Sequence, residues 1–88
     1  MTHNETPIAW MALKRGHPVT GAGGESIGKV SEVVADQQKD IFSGIAFRHR
    51  IFNHERFAPA DLIAAITSEA VQLRISAEEA EKLEAYED

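Results

Sequence analysis

Gly21-Ala22-Gly23-Gly24 stands directly ahead of Ser26-Ile27-Gly28-Lys29-Val30-Ser31-Glu32-Val33-Val34-Ala35-Asp36, and that junction constrains the chain more than any other feature. Glycines supply the positive φ that a tight reversal demands, so the first four residues form a turn. The segment from Ser26 to Asp36 is ambiguous by period alone, because Ile27, Val30, Val33 and Val34 fall at helical spacing. Three properties favour a strand: enrichment in β-branched residues, Gly28 inside the pattern, and glycines rather than a good N-cap at the start. The parity slip between Ile27 and Val30 then requires a bulge or sharp bend near Gly28.

The remaining elements agree with this reading. Ile41 to Ile51 alternates, with Ile41, Ile45, Phe47 and Ile51 assigned to the core face and Arg48 and Arg50 to the other. Asn53-His54-Glu55 reads as a loop tip returning into Arg56-Phe57-Ala58, a strand limited by Pro59. Leu62 to Ile66 is a short apolar element. Thr67-Ser68-Glu69 turns it into Ala70 to Ile75, where Val71, Leu73 and Ile75 alternate with Gln72 and Arg74. Ser76-Ala77-Glu78-Glu79 is a capping box that opens a terminal helix with Ala80, Leu83 and Tyr86 as its apolar stripe. At the other end Thr6-Pro7 fits a helix start and Gly16 a helix stop. The expected fold is mainly β: a small antiparallel barrel of five to six short strands with a C-terminal helix. Residues 1–12 form an N-terminal arm, 13–75 the barrel domain and 76–88 an acidic helix.

Size and charge narrow the function. Eighty-eight residues suit one small domain and are too few for a barrel enzyme or a doubly wound nucleotide-binding fold. The absence of cysteine removes disulfides, thiolate metal sites and cysteine nucleophiles. Acidic and basic residues balance through Ile75, so the whole net charge of −5 lies in Ser76 to Asp88. A neutral body with an acidic end argues against general nucleic-acid or anionic-lipid affinity. The longest apolar run, Ile8 to Leu13, is six residues, against about 20 for a bilayer span and about 7–15 for a secretion signal. No membrane insertion and a cytoplasmic location are expected.

The residues that carry chemistry are sparse. Gly21-x-Gly23 has Ser26 where a dinucleotide fingerprint needs glycine, and a strand comes next where a phosphate loop needs a helix. His49 and His54, with Glu55 and Asp61, match no ligand spacing and lie among arginines, so they read as solvent-exposed histidines. Ser43 lacks the Gly-x-Ser-x-Gly elbow. No enzyme, cofactor or metal is therefore expected. Arg48, Arg50 and Arg56, interleaved with Phe52 and Phe57, make a basic aromatic hairpin of the composition enriched in interfaces.

Leu13-x-x-Gly16-His17-x-Val19 with Gly24-Glu25-x-Ile27-Gly28-Lys29-Val30 resembles the opening of the PRC-barrel family. Phe57-Ala58-Pro59-Ala60-Asp61-Leu62-Ile63-x-x-Ile66, then Val71-x-Leu73, resembles its second half. The likeness spans about Leu13 to Leu83 and is to the short stand-alone members of unassigned function. Ala22-Gly23 stands where members often carry Asp or Asn ahead of the turn glycine. The resemblance implies a barrel that holds partner macromolecules, with no catalytic residue to carry over. The expectation is a non-enzymatic interaction or assembly module that self-associates as a homo-oligomer, with a further protein partner unnamed by the sequence. Its candidate interface is Arg48, Arg50, Phe52, Arg56, Leu83 and Tyr86. The alternative is an RNA- or ribosome-linked maturation factor that uses the Arg48/Arg50/Arg56 hairpin.

Overall fold

The structure, a computed structural model, describes residues 9–36, 38–49 and 54–86. The Gly21–Gly24 turn forms as its glycines require. Gly21 donates its N–H to the Glu25 carbonyl at 2.9 Å, Gly24 donates to Gly21 at 2.9 Å, and Gly24 takes φ 85°. The turn joins β1 (Pro18–Thr20) to β2 (Ser26–Asp36), an eleven-residue strand in the segment whose period also allows a helix. Strands β3 (Ile41–His49), β4 (Glu55–Pro59), β5 (Ile63–Ile66) and β6 (Val71–Leu73) complete one six-stranded sheet in the order β4-β3-β2-β1-β6-β5.

The bulge near Gly28 is present. Val19 faces Gly28 while Thr20 faces Ser26, so Ile27 is the extra residue. A second bulge lies just beyond, since Val30 faces Phe47 and Glu32 faces Ala46, leaving Ser31 unopposed. Each extra residue reverses the facing of those beyond it. Ile27 and Val30 are thereby buried and Val33 packs on the core, a spacing of three along a strand.

A third bulge corrects the reading of β3. Val34 faces Gly44 while Ala35 faces Phe42, so Ser43 is extra. Ile45 and Phe47 are fully buried as expected, but the slip at Ser43 turns Phe42 toward the core and leaves Ile41 51% exposed. Ile51 lies outside the described residues.

The sheet is mixed, not antiparallel. Val19 pairs with Val71 and Thr20 with Gln72 in parallel register, whereas the other strand pairs are antiparallel. Connectivity explains it. Relative to β1, both β4 and β5 run in the opposite sense, and only the 3-10 turn Ala60–Leu62 separates them. The chain therefore passes from one end of the strand order to the other without reversing, which three residues can do only if the sheet curls. The result is a half-barrel whose concave face holds Val19, Ile27, Val30, Ile45, Phe47, Val71 and Leu73.

The ends are shorter than their patterns. The expected N-terminal helix is a single 3-10 turn at Trp10–Ala12, and its expected start at Thr6-Pro7 lies outside the described residues. The capping box is in place: Glu79 donates its N–H to Ser76 Oγ at 3.1 Å, and Ser76 donates its N–H to Glu79 Oε1 at 3.1 Å. Yet helix α1 is only Ala77–Ala80. Leu83 and Tyr86 are not on a helical stripe, because after a last turn closed by the Lys82 and Leu83 amides the tail from the Leu83 carbonyl onward bonds to β4 instead. Among the described residues no helix is long and apolar enough to cross a membrane.

Candidate interaction surface

Cross-strand register places the first candidate side chains. Arg48 on β3 lies opposite Glu55 on β4, and its Nη2 donates to Glu55 Oε2 at 3.0 Å. The other Glu55 oxygen accepts from Ser31 Oγ at 3.2 Å. Arg48 is thus neutralised by its neighbour on the adjacent strand. Arg56 turns toward the tail, where Nη1 donates to the Leu83 carbonyl at 3.0 Å.

The tail adds a short extended segment to the outer edge of β4. Phe57 donates its N–H to the Glu84 carbonyl at 3.0 Å, and Tyr86 donates to the Glu55 carbonyl at 2.9 Å, bracketing an antiparallel bridge between Arg56 and Ala85. Tyr86 stacks on Phe57 with ring centroids 6.1 Å apart and an interplanar angle of 23°. An open cleft of about 370 Å³ lies here, lined by His54, Glu55, Arg56, Ala85 and Tyr86. The structure therefore brings Arg56, Leu83 and Tyr86 together, with Arg48 one strand away. Arg50 and Phe52 lie outside the described residues. The tail meets Arg56 through a main-chain carbonyl rather than a glutamate.

His49 corrects the sequence reading, since it is 5% exposed rather than solvent-facing. Its Nε2 lies 3.6 Å from Glu81 Oε2 on the turn after α1. Its odd position shares the inward facing of Ile45 and Phe47, which is why a polar ring sits on the core side. His54 is exposed. Among the described residues no three His, Asp or Glu side chains gather as metal ligands.

The Gly24-Glu25 pair of the motif has a structural use. Glu25 Oε1 accepts the Gly23 N–H at 2.9 Å and Oε2 accepts the Ala77 N–H at 3.0 Å, tying the turn to the start of α1. The Ala77 amide foremost, then the backbone amide of Glu25 itself and last that of Gly23, hold its carboxyl below the usual value against the opposing effect of desolvation.

A second surface is one that sequence reasoning misses. Trp10 stacks on Phe42 with centroids 5.6 Å apart and 12° between planes. Next to Trp10 stands Met11, 58% exposed, and next to Phe42 stands Ile41, 51% exposed. Those two are the large apolar side chains left exposed among the described residues, and each adjoins one ring of the stack. The six-residue run Ile8 to Leu13 is the available signal for Met11, but alternation assigns Ile41 to the core.

No protein-family model matches the chain, and no curated protein matches it.

Proposed function

We propose that the chain is a non-enzymatic protein-interaction or assembly module of the PRC-barrel type, which self-associates and works in the cytoplasm. The observation that carries the reading is the pairing of Met11 and Ile41 with the Trp10–Phe42 stack. Exposed Met11 next in sequence to a half-buried tryptophan, and exposed Ile41 next to its stacking partner Phe42, are residue types found at interface centres, where Trp and Met are enriched and charge is depleted. A small domain without disulfides also gains burial by association.

Two features support the family type. The Gly24 to Val30 motif spans the turn and first bulge, and Phe57 to Ile66 spans β4, the 3-10 corner and β5. Both segments fall where the sheet bends. The RNA-binding alternative needs the hairpin arginines free together, whereas Arg48 is ion-paired and Arg56 is held by the tail. No observation among the described residues favours it.

Sedimentation velocity over a concentration series tests the reading. The wild-type chain should gain mass with concentration, and Met11→Glu/Ile41→Glu should stay at the single-chain mass. A wild-type chain that remains a single copy at the highest concentration contradicts self-association.

A further inference from the structure

We propose that the outer edge of β4 is a docking site for an extended acidic peptide of another protein, and that the chain's own tail occupies this edge until such a peptide displaces it. The site does not depend on self-association. Strand β4 is the last in the sheet order, so one row of its main-chain groups points away from β3. The tail shows what that row accepts. Phe57 donates its N–H to the Glu84 carbonyl and the Glu55 carbonyl accepts from Tyr86, so the occupant runs antiparallel to β4 with Ala85 opposite Arg56. Its aromatic residue, Tyr86, stacks on Phe57. These are the elements of strand addition, in which main-chain bonds hold a segment and side-chain positions select it.

The tail fits that edge incompletely. Ala85 is exposed, and it lines the open cleft of about 370 Å³ together with His54, Glu55, Arg56 and Tyr86. The two charged residues of the cleft are unequally matched. Glu55 is paired with Arg48 at 3.0 Å, whereas Arg56 bonds the Leu83 carbonyl and faces only an alanine across the bridge. Residues directly opposite on antiparallel strands carry their side chains on one face. A peptide with Glu in the place of Ala85 therefore sets a carboxylate against Arg56, while keeping the main-chain bonds and the ring on Phe57. Residue for residue such a segment outbinds the tail. The tail's advantage is its covalent link, which sets its effective concentration at the edge.

Displacement in trans tests the site, with the full chain as host and fluorescein-labelled peptides of the tail sequence 82–88 as probes. Tyr86→Ala in the host weakens the competing tail and leaves the buried core intact. That host should bind the probe about three- to tenfold more tightly than the wild type, because the stack no longer favours the cis segment. A probe carrying Ala85→Glu should bind about two- to fivefold more tightly again, and Arg56→Gln in the host should abolish that preference. A probe N-methylated at Tyr86 loses its donor to Glu55 and should not bind. N-methylation at Ala85, whose N–H alternates away from β4, should be tolerated. If the Tyr86→Ala host binds no more tightly than the wild type, or the two N-methylated probes behave alike, the edge is not a docking strand. An Ala85→Glu probe without advantage overturns the acidic occupant. Concentration-dependent amide shifts at residues 55–57 without peptide assign the edge to the tail of a second copy and overturn a foreign one. Self-association through Met11 and Ile41 is read separately, by sedimentation.

Discussion

Glu25 acts at the scale of one carboxylate yet joins two distant segments, because the amides of Gly23 and Ala77 converge on it. Its pKa is lowered in the folded chain, so its contribution is fully present above the ordinary carboxyl value and is lost as pH falls through the folded value. Glu25→Gln should therefore lower the denaturation midpoint at pH 7, and the difference should vanish at acid pH, where the wild-type carboxyl is protonated as well. Equal midpoints at pH 7 would remove this role. Gly28 is the second decisive residue. A Cβ there would lie 2.0 Å from the Arg48 carbonyl oxygen, inside the β2–β3 ladder where backbone cannot yield. Gly28→Ala should destabilise by about 3 kcal/mol in chemical denaturation. Both residues stand in the glycine motif. The motif is legible as a turn and a bend, but nothing in it shows that its glutamate reaches 52 residues ahead to Ala77, since no local pattern encodes a tertiary hydrogen bond.

At the scale of elements, bulges decide what can be read. Ile27, Val30 and Val33 mimic a helix because extra residues at Ile27 and Ser31 reset the facing of the strand. The slip at Gly28 is legible because glycine marks it. That at Ser43 is not, although Gly44 adjoins it, because Ile41 to Phe47 alternates smoothly on paper. The tail departs from its pattern for another reason. Its capping box starts α1 correctly, but acidic residues near the helix C-terminus oppose the dipole, and the edge of β4 offers main-chain partners that a fraying turn cannot match. A chain ending after Leu83 should show faster hydrogen exchange at the Phe57 amide and lose about 1–2 kcal/mol of stability. Unchanged exchange at Phe57 would mean that the tail does not seal this edge.

Over the whole molecule, curvature arises from the three-residue passage between β4 and β5, the outermost strands. Mainly β content and compactness are legible from strand-length apolar segments and turn residues. The parallel β1–β6 pair is not, because it depends on where the chain crosses rather than on any segment's pattern. The same long-range organisation sets Trp10 on Phe42, the rings next to which the exposed Met11 and Ile41 of the interaction reading stand in sequence.

Backbone amide chemical shifts followed by NMR through a dilution series test that reading most directly. The account predicts concentration-dependent shifts at residues 10–11 and 41–42, with β6 and the tail segment 83–86 unmoved. Shifts confined to Arg48, Arg56 and the tail, or none at any concentration, would contradict it.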